Sequence, residues 1–176
     1  MGAPSGRVSM DASARAFQDA LHQNYCWGCG IANPHGLHIK STWDGEVAVC
    51  VWQPAAEHMA GPRWVLNGGI IATVIDCHSV CTAVADVYRA EGRQIGSEPF
   101  IWFVTGSLAV SYRRPAPLDR PLRVSARITE RTKRKTIVAA TVAAGADECA
   151  TGEVVAIRVA PEWFERYDRL GVGKPG

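Results

Sequence analysis

The chain has 176 residues, of which 47% are hydrophobic and 20% charged, with a formal net charge of +2. Those numbers suit one soluble domain whose core needs no disulfide staples, and they speak neither for nor against a polyanionic partner. Asp76 and His78 interrupt the longest apolar run, and Met1 to Gln23 lacks the apolar core of a signal peptide, so a cytoplasmic protein with no membrane span is expected.

In chain order, residues 1–24 read as an N-terminal extension, with helical spacing over Met10–Gln23 carried by Ala14, Phe17, Ala20 and Leu21. Tyr25–Gly36 is a turn-rich, structured loop. Leu37–Trp43 and Glu46–Trp52 read as two strands around Asp44-Gly45, a strong hairpin signal. One long helix then runs from Asn67 to about Arg89–Glu91, with Gly92 as its stop. Arg93–Val104 is a connector. Strands are expected at Leu108–Tyr112, Leu122–Thr129, Thr136–Ala144 and Cys149–Val159, the last two central in the sheet because they are more evenly apolar. Residues 161–176 form a polar tail with one helical turn around Trp163. The body of the protein, residues 25–160, is therefore α+β, with a single helix laid against one antiparallel sheet.

The helix is apolar on nearly every side, as buried helices are, and between Asn67 and Ala85 it carries one carboxylate, Asp76. An acid among Val74, Ile75, Cys77 and Val80 is costly unless it is paired, protonated or used. The helix opens on Asn67-Gly68-Gly69-Ile70, where backbone N–H groups can be approached closely by a ligand oxygen. A structural reading stays open beside the catalytic one: Asp76 as a tie to a loop N–H, and Gly68-Gly69 as a site of close helix–sheet packing. His78 lies about 200° round the helix from Asp76, too far for a dyad, and reads as a core histidine bonded to a carbonyl.

Six cysteines without a secretion signal are expected to be reduced. Cys77 and Cys81 read as small hydrophobes one turn apart. Cys26-Trp27-Gly28-Cys29 has the spacing of half a zinc site, which His35, His38 and His58 could complete. With no second spaced pair apparent, a thiol-lined turn is expected and no metal.

With this order of elements, the chain resembles the hotdog-fold acyl-CoA thioesterases, in the phenylacetate-degradation (PaaI-like) branch. The resemblance rests on Asn67-Gly68-Gly69 followed by Asp76, similar to the family's His-Gly-Gly motif and its acid nine positions on. Val110-Ser111-Tyr112-Arg113-Arg114-Pro115-Ala116-Pro117 and Cys26-Trp27-Gly28-Cys29-Gly30 with Asn33-Pro34-His35-Gly36-Leu37 support it. It implies a sheet wrapped around one central helix, a homodimer or dimer of dimers, and hydrolysis of an acyl-CoA without metal or cofactor beyond the substrate's own coenzyme A. The departure is Asn67 in place of histidine. An amide still orients a substrate by hydrogen bonds but moves no proton.

On this reading Asp76 is the base or nucleophile, Gly69 the oxyanion donor with Gly68 and Ile70 beside it, and Asn67 the orienting group. Thr73, Ser79 and Thr82, within a turn of Asp76, are candidates to orient water. Gly69 and Asp76 are about 10 Å apart at ~1.5 Å per residue, so one carbonyl meets both only if Asp76 comes from an antiparallel helix of a second chain. Sites at a dimer interface follow. Arg113, Arg131 and Arg134 lie in a basic run suited to the phosphates of coenzyme A, a solvated strand face being the plain alternative. Nucleic acid is not expected as a partner. Trp64, Phe100, Trp102 and Phe103 are candidates for an acyl pocket. The alternatives are a hotdog hydratase or dehydratase, which needs a histidine–carboxylate pair, and an acyl-CoA-binding protein without turnover.

Overall fold

The computed structural model describes residues 15–160 and 162–163. Strands β1 (Ser41–Asp44) and β2 (Val47–Trp52) precede helix α1 (Gly68–Ala90). Strands β3 (Trp102–Tyr112), β4 (Leu122–Arg131), β5 (Lys135–Ala144) and β6 (Asp147–Val159) follow it. The six strands form one sheet in the order β1-β2-β4-β5-β6-β3, antiparallel at every step. This is the α+β layout expected, with β5 and β6 inside the sheet and β3 at an edge.

Helix α1 forms because nothing between Ile70 and Ala90 interrupts it, neither glycine nor proline. Asn67 caps it, its Oδ1 accepting from the Gly69 N–H at 2.7 Å. At the other end Gly92 takes φ +63°, and the Gly92 and Arg93 N–H groups return to Arg89 and Tyr88 carbonyls at 3.1 and 2.9 Å. The helix lies across β3 to β6. Val74, Ile75, Val84 and Tyr88 pack with Leu122, Val124, Val138, Val142 and Val154 of the sheet in one core. Each such side chain, fully buried, contributes about 1.5–3 kcal/mol. Contact is close at Gly152 on β6, where a Cβ would stand 2.6 Å from Ile75 Cγ2.

By length and composition α1 is apolar enough to cross a membrane, contrary to the sequence expectation. Its place in the fold accounts for the composition, since 72% of its most apolar window is buried inside the protein.

The first strand begins four residues later than expected. The Leu37 and Ile39 N–H groups bond to the Trp27 and Gly28 carbonyls at 2.8 and 3.3 Å, and His38 sits at φ +50°. Backbone committed to the Cys26–Cys29 turn is not free for the sheet ladder. The N-terminal helix is, within the described residues, one 3₁₀ turn over Phe17–Ala20; Met10–Ala14 lie outside them. Strand β3 begins six residues earlier than its alternation suggests. A register shift between Thr105 and Ser107, at Gly106, breaks the period on which such a reading depends.

Candidate active site

Asp76 projects from the middle of α1 toward β3, where its Oδ1 accepts a hydrogen bond from Thr105 Oγ1 at 2.7 Å. The carboxyl is half-buried. Desolvation raises its pKa above the ordinary aspartate value, the Thr105 bond opposing the shift. A carboxylate made more basic in this way is suited to accept a proton nearer neutral pH. Thr105 belongs to the run 105–109, exposed along the edge of the sheet, so the acid sits next to a strand that pairs with β6 on one side and has no strand on its other side among the described residues.

At its first turn α1 has N–H groups with no intrahelical acceptor. Asn67 takes that of Gly69, and this cap bond fixes the amide so that its Nδ2 points elsewhere as a donor. Tyr112, at the far end of β3, closes the same corner by donating from its hydroxyl to the Gly68 carbonyl at 2.7 Å. A Cβ on Gly68 would lie 3.3 Å from the Tyr112 ring, so the glycine is the residue that admits it. Thr73 Oγ1 donates to the Gly69 carbonyl at 3.0 Å. Asn67 and Gly69 are exposed and Gly68 and Ile70 half-buried, which keeps the helix start open to a ligand.

The other expected residues divide. Ser79 and Thr82 are sealed in the core at 0% exposure, and Thr82 Oγ1 is spent on the His78 carbonyl at 2.7 Å. Both are set aside as substrate-binding groups, because i+3 and i+6 from Asp76 turn inward here. Arg131 pairs with Asp86 at 2.5 Å and ties the end of α1 to β4. Arg113 follows Tyr112, whereas the Arg134 carbonyl accepts from Arg158, the partner of Phe103 across β3 and β6. Ten residues of strand, or about 33 Å, therefore separate Arg113 from Arg134, and the basic run is not one patch within a chain. Trp64 is 76% exposed and lines a cleft of about 590 Å³ with Ala56, Arg63, Pro117, Leu118, Asp119 and Arg120. Phe100 is exposed, Trp102 half-buried and Phe103 buried in the core, so the aromatic connector forms no single wall.

His78 takes the structural role expected of it. It is fully buried, with Nε2 donating to the Ala48 carbonyl at 3.1 Å and Nδ1 accepting from Ser41 Oγ at 2.8 Å. Gln18 completes the chain of bonds, donating to Ser41 Oγ at 2.9 Å and accepting from the Ser41 N–H at 2.8 Å. Burial pushes the imidazole down to about 4, so it is neutral and supplies no proton at neutral pH. Thr105 and Tyr112 are the residues that the sequence does not point to. Only the register of β3 against α1 reveals them.

Known proteins agree with this architecture. The family model of the thioesterase superfamily matches residues 65–151, from just before α1 into β6. A thioesterase superfamily protein from Shewanella loihica is 32% identical, covering 73% of this chain and 97% of its own, with a TM-score of 0.58. The PaaI protein of E. coli, from the phenylacetic acid degradation operon, is 14% identical, covering 70% of this chain and 81% of its own at a TM-score of 0.57. A conserved protein of Pseudomonas aeruginosa, 21% identical, covers 70% and 90% at 0.54. No curated protein matches. With the helix start, the acid nine residues on and the sheet order all in place, the chain belongs to the thioesterase superfamily and has its hotdog fold.

Proposed function

We propose that the protein hydrolyses acyl-CoA thioesters at sites shared between two chains. The observation that carries this reading is the placement of Asp76, half-buried, with a raised pKa, and bonded to Thr105 on the unpaired edge of the sheet. A second copy pairing its β3 there, about a two-fold axis, runs its α1 antiparallel to the first. The Asn67–Ile70 end of one helix then faces Asp76 of the other, and the 10 Å spacing within one chain ceases to be an obstacle.

In such a site the Asn67 Nδ2, anchored by its cap bond, orients the thioester carbonyl. Asp76 takes a proton from water, the hydroxide adds to the carbonyl carbon, and the oxyanion rests on first-turn N–H groups of α1. Collapse of the intermediate breaks the carbon–sulfur bond, Asp76 passes the proton to the departing thiolate, and the acid and the CoA thiol leave with water as the only other reactant. Hydration of an enoyl-CoA is disfavoured, because His78 is buried and committed to Ser41 and Ala48. A second reading, acyl-CoA binding without turnover, draws on the Gly69 N–H being occupied by Asn67, which leaves one fewer oxyanion donor.

Thiol release from acetyl-, phenylacetyl-, benzoyl- and long-chain acyl-CoA, measured for wild type and Asp76→Asn, separates these. Turnover on at least one thioester, falling about 10²–10⁴-fold in the variant, is the expected result. Undiminished turnover in Asp76→Asn removes the assigned role of Asp76; binding of CoA with no turnover on any thioester selects the second reading.

A further inference from the structure

The Cys26–Cys29 turn folds back onto the helix that carries Asp76. The Sγ atoms of Cys26, Cys29 and Cys77 all lie within 4.8 Å of one another, and Cys26 and Cys77 are 3.6 Å apart. Cys81 is one turn further along the same face of α1, beside Cys29 but outside the 4.8 Å trio. A 3.6 Å separation is far too long for a disulfide, whose sulfurs are about 2.05 Å apart. Two thiolates on one tetrahedral zinc, at ~2.3 Å each, stand about 3.8 Å apart.

The loop is shaped to hold sulfur close to the helix. Gly28 has no room for a side chain, since a Cβ would lie 2.3 Å from Cys77 Sγ and 2.9 Å from Thr73 Cγ2. Gly30 closes the turn: its N–H donates to the Cys26 carbonyl at 2.7 Å, and a Cβ there would meet three backbone atoms of Asn24 and Cys26 at 2.4–2.6 Å. Donors face the thiols from outside. Asn24 Nδ2 approaches Cys29 Sγ at 3.4 Å, the Cys29 N–H is directed at Cys26 Sγ, and Asn24 Oδ1 anchors the Cys26 N–H at 2.9 Å. Such second-layer bonds orient thiolate ligands and spread their charge. Cys29, Cys77 and Cys81 are buried, and Cys26 is exposed, which gives an ion a way in.

We propose that Cys26, Cys29, Cys77 and Cys81 bind one zinc ion that fastens the N-terminal loop to α1, a structural site separate from thioester chemistry. The second spaced pair missing from a linear reading is Cys77-x₃-Cys81, on the helix. No histidine belongs to the group among the described residues. Each thiol gives up its proton to solvent on ligation, with no change of oxidation state. Four protein ligands leave no open position for water, as befits a site that holds structure rather than reacts.

The test is metal analysis of the full-length protein purified under reducing conditions, followed by exchange of its metal for Co²⁺. The expected result is one zinc per chain, and in the cobalt form a thiolate charge-transfer band with intense tetrahedral ligand-field absorption. Cys26→Ser, at the exposed ligand, is expected to lose or blue-shift those bands, whereas Cys50→Ser, buried outside the cluster, leaves them unchanged. Wild-type protein without zinc and without a cobalt spectrum overturns the proposal, as does an unchanged spectrum in Cys26→Ser. A mass two hydrogens light, from a Cys26–Cys77 disulfide in the reduced preparation, also overturns it. None of these readouts depends on thioesterase activity.

Discussion

At the residue scale, two ionisable groups two positions apart on α1 have opposite fates because the helix turns them to different neighbours. Asp76 reaches the open edge of the sheet, where desolvation makes it a stronger base and Thr105 holds it in place. His78 is turned into the core, where Ser41 and Ala48 fix its tautomer and burial keeps it neutral, down to about 4. The unfolded chain binds a proton at this histidine near pH 6.5, so the native state is favoured above that value. Its contribution fades as pH falls from 6.5 toward 4, amounting to on the order of 3 kcal/mol. Denaturant unfolding of wild type and His78→Gln between pH 7.5 and 4.5 measures this. Wild type is expected to lose stability across that window more steeply than the variant, and parallel pH curves contradict the assignment.

At the element scale, legibility followed locality. Helix α1 was readable end to end, from the Asn67 cap to Gly92, because caps and uninterrupted apolar residues are properties of neighbours in sequence. So was the Asp44-Gly45 hairpin, whose glycine takes φ +61°. The start of β1 was not, since Leu37 and Ile39 give their N–H groups to a loop ten and eleven residues back. The thiol cluster was not, since Cys26 and Cys77 are 51 residues apart. Nor was the spacing of Arg113 and Arg134, which only strand register determines. Packing of helix on sheet is itself testable at Gly152, where an added Cβ meets Ile75 Cγ2 at 2.6 Å and the Ala109 carbonyl at 3.3 Å. Ile75 is fully buried and has nowhere to move, so Gly152→Ala is expected to cost about 1–3 kcal/mol by denaturant unfolding. Gly61→Ala, where a Cβ meets nothing within 4 Å, serves as the control. Equal midpoints for the two variants would show that α1 and β6 are not in the contact described.

At the scale of the whole molecule, the proposed function has each chain hold the two halves of a site at opposite ends of a helical segment. On that proposal Gly69 and Asp76 serve the same carbonyl only when a second chain supplies the missing half, pairing along the exposed outer edge of β3. Composite sites are tested most directly by complementation. Asp76→Asn and Asn67→Ala, each lowering thioesterase activity alone, are unfolded, mixed in equal amounts and refolded together. Half of the dimers are then mixed, and each restores one of its two sites, so activity is predicted to recover to about a quarter of wild type. Mixed dimers that form, as seen by mass, yet stay as inactive as their parents would contradict a site shared between chains.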